Sequence, residues 1–364
     1  MDPTTTPAAP SEGTAAPDPD ATSGQAGPPG LATPPTTPPA GSGDVPQIRI
    51  VVHRSSGLTE STDITELPKL HDDADACLWI DLIDPDAELV RKVSRELDLH
   101  PLIPENIIER NQRAKIETFG AIVHVVLFSL RYAGEAEATE IDFVLGEGFL
   151  LSVHGPACDL RGAAALRSNA PSVMGRGSDY LFYSLVDHVV DGYFPVLDAL
   201  AEEIDDLQDR VVASADEWTL QRLFTLKREL IAIRRATSPA REIFNQLTNR
   251  EVGPIAEAHV VYFRDVYDHL IRVTDELDNY RELVSGTLDI YLTIVNNNLS
   301  IIMKRLTGVT VILAGIGAIA GIFGMSEAGS AFSGAEATGF WIVSGVSVAI
   351  AVVAAVVLRR IDWI

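Results

Sequence analysis

The residues with chemistry to offer fall on one line of a helix. Steps of four and three from Asp289 pass through Thr293, Asn296, Ser300, Met303, Thr307, Thr310, Ala314, Gly317, Gly321 and Gly324, a spacing that holds one helical face toward a neighbour. Ile312, Ile316, Ile319 and Phe323 lie off that line. Hydroxyls, carboxamides and a thioether make no nucleophile–base pair, so the chemistry of this stripe is hydrogen bonding, to water or to a partner. Close helix packing through Gly317-xxx-Gly321 is the other reading of the same residues.

The element that positions the stripe is expected to cross a membrane. No Lys or Arg occurs between Arg305 and Arg359, and residues 306–323 and 340–358 are apolar runs, each near the roughly 20 residues that cross a hydrocarbon core of about 30 Å. Lys304 and Arg305 before the first run and Arg359 and Arg360 after the second place both flanks, and both termini, in the cytoplasm. Residues 324–339 are then an outer loop, and residues 359–364 a basic tail.

Upstream, Pro254 suits the first turn of a helix, and no proline follows before residue 323. One helix over residues 254–323 is expected, about 105 Å long at 1.5 Å per residue, a stalk that carries the state of a cytosolic domain into the membrane. Residues 176–253 read as a helical hairpin, with helices over 179–213 and 216–249 and a kink or break at Ser238-Pro239. Glu202, Glu203, Asp205, Asp206 and Asp209 make part of the first helix acidic, whereas Lys227, Arg228, Arg234, Arg235 and Arg241 make the second basic. Inter-helix ion pairs, or a cation-binding gate, are the two readings of that division.

Residues 46–175 alternate as an α/β domain: strands at 48–52 and 77–82, and hairpins or long strands at 121–132 and 141–153 turning near Gly120 and Gly146-Glu147-Gly148, with helices near 87–97 and 101–109. No Walker loop, HExxH or GxSxG is present, so the chain is read as not an enzyme and as needing no cofactor. Gly315-Ile316-Gly317-Ala318-Ile319-Ala320 matches a dinucleotide fingerprint in form, but it follows no strand and lies inside an apolar span. Residues 1–45 are rich in Pro, Thr, Ala and Gly without a basic residue, and a disordered leader is expected. The net charge of −23 argues against nucleic acid as a partner. Cys77 and Cys158 are too few for a disulfide framework, and buried reduced thiols are expected.

Tyr262-Phe263-Arg264-Asp265-Val266-Tyr267-Asp268-His269, Asp289-Ile290-Tyr291-Leu292, Met303-Lys304 and Phe323-Gly324-Met325 resemble the CorA family of magnesium transporters, as do Leu99-His100-Pro101-Leu102 and Asp179-Tyr180-Leu181. The motifs occur in the family's order over residues 47–364. The resemblance implies a funnel-shaped homopentamer in the plasma (inner) membrane, with an α/β cytosolic domain, long helices and two transmembrane helices per chain. It implies passive uptake of a divalent cation, Mg²⁺ and by extension Co²⁺, gated by intracellular cation. Across 100 mV such an ion gains about 4.6 kcal/mol, twice the figure for a unit charge. Pore positions implied by the resemblance are Asp289, Ser300, Met303, Leu306, Thr310, Ala314, Gly317, Gly321, Gly324, Met325 and Ser326. Glu327 and Glu336 in the outer loop would concentrate cations at the mouth.

Three departures from the family bear on function. Gly-Met-Asn is replaced by Gly-Met-Ser, Ser326 offering a shorter side chain to a hydrated ion. Ser300 stands where an asparagine is common. The regulatory metal site at subunit boundaries has one carboxylate at Asp265, but its usual partner position is Asn106, with Glu105 adjacent as a substitute; a local ion pair of Asp265 with Arg264 is the alternative. A Zn²⁺ or other transition-metal transporter, and a non-conducting membrane sensor, are the rival functions.

Overall fold

The computed structural model describes residues 47–110, 112–249, 252–324 and 336–360. The expected leader, Met325, Ser326 and Glu327 lie outside them. Seven strands form one sheet in the order β2-β1-β3-β7-β6-β5-β4, where β1 is Ile48–Arg54, β2 Gly57–Ser61, β3 Cys77–Ile83, β4 Lys115–Phe119, β5 Ile122–Tyr132, β6 Ala136–Gly146 and β7 Phe149–His154. β3 and β7 pair parallel, and the other neighbours pair antiparallel. Gly120 and Gly148, both with positive φ, make the tight turns into β5 and β7 that other side chains resist. The strand before Gly120 and the strand β2 were not anticipated, because Gly57–Ser61 and Lys115–Phe119 are short, polar and at the sheet's two edges.

Alternation along the strands splits the core in two. Ile50, Val52, Leu78, Ile80, Leu82, Leu151 and Val153 pack beneath α1 (Leu67–His71), α2 (Ala87–Glu96) and α3 (Leu102–Glu109). Val51, Trp79, Val125, Phe143 and Leu150 face the helices that follow: α4 Ala164–Met174, α5 Ser178–Asp191, α6 Tyr193–Ala213, α7 Glu217–Asn249 and α8 Val260–Gly324. A last helix, α9, spans Glu336–Arg360.

Three expectations for the helices are corrected. The helix over 179–213 is two, ending at Gly192, because Pro195 lacks the N–H that would bond the Asp191 carbonyl. α7 instead runs through Pro239 without a break. Buried Leu223, Leu226, Leu230, Ile233, Thr237, Ala240, Phe244 and Leu247 keep a three–four seam on both sides of the proline, and packing outweighs one missing hydrogen bond. Pro254 does not open the long helix, which starts at Val260 after a 3₁₀ turn at Glu257–His259. Asp179 holds that lead-in: its carboxylate accepts from the Ala256 backbone N–H at 2.9 Å and lies 2.7 Å from His259 Nδ1.

α8 then seats Phe263, Val266, Leu270, Val273, Leu277, Val284, Leu288 and Tyr291 in the core between α5, α6 and α7. Phe263 meets Phe182 at 5.7 Å, Tyr183 at 6.0 Å and Phe244 at 6.3 Å between ring centroids. Helix-to-helix ion pairs exist and draw on one member of each charge block, Glu203 and Arg234, each with a partner outside the blocks. Arg222 binds Glu203 and Glu229, and Arg234 binds Asp278 of α8 at 2.7 Å. Cys77 is buried and Cys158 half-buried, both free, and burial pushes each thiol up to about 12.

Candidate functional site

The stripe and its neighbours divide cleanly around the upper part of α8. Gly308 is buried and Ile312, Ile316 and Ile319 are half-buried. Ile312 and Ile316 line a cleft against Ser347, Val348, Ala351, Val352 and Ala355 of α9. Asp289, Thr293, Asn296, Ser300, Met303, Leu306, Thr307, Thr310, Ala314, Gly317 and Gly321 are all exposed in the single chain. A Cβ added at Gly317 or Gly321 would meet open space. The face that α9 covers is thus the off-stripe one, and the stripe is left for something else.

What the stripe offers is set by how its hydroxyls are used. Thr293 Oγ1 donates to the Asp289 carbonyl at 2.8 Å, Ser300 Oγ to Asn296 at 2.9 Å and Thr310 Oγ1 to Leu306 at 2.7 Å. With its proton spent on the turn below, each hydroxyl presents oxygen lone pairs outward. Water bound to a cation turns its hydrogens away from the ion, so outward acceptors suit a hydrated cation. The Glu257–Gly321 stretch is long and apolar enough to span a membrane, with 6% of its apolar window buried and mean hydropathy 1.7. Leu299, Ile302, Leu306, Val309, Val311 and Leu313 are exposed around it, a surface that water alone does not cover.

The carboxylates of the region before the apolar stretch are brought together in part. Asp265 is exposed on α8 and makes no hydrogen bond or ion pair among the described residues, so the local pair with Arg264 is absent. Its charge falls on the α5 side, where it helps raise Asp187. Asn106 instead donates from Nδ2 to Glu117 Oε2 at 3.0 Å, and Glu105 is exposed on the far side of α3 with Arg91 and Arg95. One chain does not join Asp265 to Asn106 or Glu105.

A group absent from the sequence reading stands beside Asp265. Asp187 and Asp191, four apart on α5, converge with His269 of α8 so that one ligand atom from each lies within 4.8 Å of the others. His269 Nδ1 is 3.6 Å from Asp191 Oδ1, too long for a hydrogen bond. Burial, then the charges of Asp191 and Asp265, push the Asp187 carboxyl up to about 6. Asp187, Asp191 and His269, with the charges of Asp265 and His188 near enough to act on Asp187, can hold a divalent cation. The i, i+4 acids and the histidine in Tyr267-Asp268-His269 were the available signal.

Comparison with known proteins places most of the chain in one family. The profile of the family described as CorA-like Mg²⁺ transporter protein matches residues 74–360. The chain is 36% identical over 245 residues to the cobalt/magnesium transport protein CorA of Thermotoga maritima, covering 66% of this chain and 70% of that one. It is 23% identical over 290 residues to the cobalt/magnesium transport protein CorA of Methanocaldococcus jannaschii, covering 79% and 91%. The complete structure of the Methanocaldococcus jannaschii CorA magnesium transporter superposes with a TM-score of 0.73 at 22% identity, covering 87% of this chain and 98% of that one, which shows a shared fold of α/β domain and long helix. This chain belongs to the CorA-like Mg²⁺ transporter family.

Proposed function

We propose that the chain forms a homopentameric channel in the plasma membrane that lets Mg²⁺, and less selectively Co²⁺, enter passively down the membrane potential. Five copies of α8 turn the stripe inward, and α9 forms the outer ring as a second transmembrane helix. The carrying observation is that α9 covers the Gly308–Ile312–Ile316–Ile319 face and leaves the hydroxyl and glycine face exposed. Two spans per chain do not enclose a pore, so the stripe needs copies of itself. Intracellular cation closes the channel by binding at Asp265 with Asn106 and Glu105 of a neighbouring copy, and Asp187, Asp191 and His269 extend that site. Ser326, in place of asparagine, gives an entrance that discriminates less sharply among hydrated ions.

The test is uptake of Mg²⁺, Co²⁺, Zn²⁺ and Ni²⁺ into liposomes holding purified full-length protein under an inside-negative potential. Mg²⁺ uptake that grows with potential is expected, and Ser326→Asn is expected to widen the Mg²⁺-over-Zn²⁺ preference. Zn²⁺ uptake exceeding Mg²⁺ would assign a transition-metal transporter instead. No flux of any cation would leave a non-conducting sensor.

A further inference from the structure

On the face of the sheet that α1, α2 and α3 cover, a histidine is held with one nitrogen bare. His124 of β5 is fully buried, and its Nε2 lies 2.8 Å from Asp142 Oδ1 of β6. An ionised carboxylate accepts only, so Nε2 carries a proton, and in the neutral ring Nδ1 keeps its lone pair. Nδ1 is buried and has no hydrogen-bond partner. It points to Glu117 of β4, directly across the ladder, whose Oε2 is 3.8 Å away.

Glu117 is held by Lys115 Nζ at 2.8 Å and Asn106 Nδ2 at 3.0 Å, and Glu140 on the same face has a second buried oxygen, Oε1, without a partner. Among the described residues the charged groups around Nδ1 include Glu117, Asp142, Glu140 and the Lys115 ammonium, and the Arg110 guanidinium acts on Glu140.

A carboxylate that fixes one imidazole nitrogen and aims the other at a second carboxylate is the arrangement that orients a metal-ligating histidine. We propose that His124 Nδ1 and the Glu117 carboxylate bind a divalent transition ion such as Zn²⁺ or Co²⁺, with water completing its shell and Asp142 positioning the imidazole. Two donors about 2.1 Å from a tetrahedral zinc lie about 3.4 Å apart, so a few tenths of an ångström of movement closes the gap. Glu117 can make that movement: it sits on the edge strand with 36% of its side chain exposed. Imidazole selects Zn²⁺, Co²⁺ or Ni²⁺ over Mg²⁺, which prefers oxygen and keeps its waters. The site lies outside the stripe and outside the Asp187–Asp191–His269 group, and it stands or falls independently of conduction. Its effect is to let a transition ion seize the same Glu117 that Asn106 now holds, at the end of α3.

The experiment measures Zn²⁺ affinity of full-length protein in detergent with excess Mg²⁺ present, using Co²⁺ absorption as a second readout. All variants carry His269→Gln, which disables the Asp187–Asp191–His269 group. One Zn²⁺ per chain that Mg²⁺ does not displace is expected in that background, with Co²⁺ bands of nitrogen–oxygen ligation. Glu117→Gln and His124→Gln are each expected to weaken it at least about tenfold. If His124→Gln does not fold, Glu117→Gln alone decides. Unchanged Zn²⁺ affinity in Glu117→Gln, or no Mg²⁺-resistant Zn²⁺ in the background protein, overturns the proposal.

Discussion

At the scale of single residues, the proposed regulation turns on carboxylates that crowd one another and so hold their protons more tightly. Asp187 is raised to about 6 by burial and by Asp191 and Asp265, above its ordinary 3.8. The folded protein therefore holds this proton more tightly than the unfolded chain. The resulting stability is full below about pH 4 and is lost as pH rises through about 6. Two pKa units correspond to about 3 kcal/mol, which partial exposure and screening cut to about 1 kcal/mol. Asp187→Asn is thus expected to raise thermal stability at pH 7.5 without added cation, and to have little effect at pH 4.5. Mg²⁺ is expected to stabilise wild type above pH 6 and less below it, where protons compete; equal Mg²⁺ stabilisation at pH 5 and 7.5 would remove Asp187 from the site. Asp265→Ala is expected to weaken inhibition of flux by internal Mg²⁺, and inhibition matching wild type would return Asp265 to the solvent. Asp265 was legible because it lies in a continuous motif. Asp187, Asp191 and His269 were not, since their meeting depends on how α5 packs on α8.

At the scale of elements, strongly periodic segments declared themselves and interruptions did not. The seam of α7 and the stripe of α8 follow from the sequence, because a three–four repeat fixes which face is buried whatever the partner. Proline misled twice in opposite senses. Pro195 ends a helix where Gly192 offers no packing to resist it, whereas Pro239 is carried through by the buried residues on both sides. Edge strands β2 and β4 escaped because they are short and polar, and no residue of either is fully buried. Phe263, with no exposure and three aromatic neighbours, fastens α8 to α5 and α7. Phe263→Ala is expected to cost about 3–5 kcal/mol of the cytosolic region's stability, read as a shifted urea midpoint of the full-length protein. A shift below about 1 kcal/mol would mean that the fastening lies elsewhere.

At the scale of the whole molecule, a single chain is visibly incomplete. Gly317 has no atom within contact distance of an added Cβ, so Gly317→Leu is expected to leave the single-chain fold and its melting temperature unchanged. In the proposed pentameric channel five leucines would meet at one level, and flux is expected to fall to background. Flux near wild type would mean that the stripe faces lipid. The same contrast separates a pore residue from a structural one anywhere along the stripe.

α8 runs 65 residues from Val260 to Gly324 in one piece. Tyr291 is the last residue that seats it in the core, and Thr310 stands about 28 Å beyond that point at 1.5 Å per residue. A tilt of about 5° there sweeps Thr310 sideways by about 2.5 Å, as the far end of a lever. On the proposed function, a change of direction set where the carboxylates of α5 and α8 meet a cation reaches the hydroxyls of the stripe as a displacement of a few ångströms.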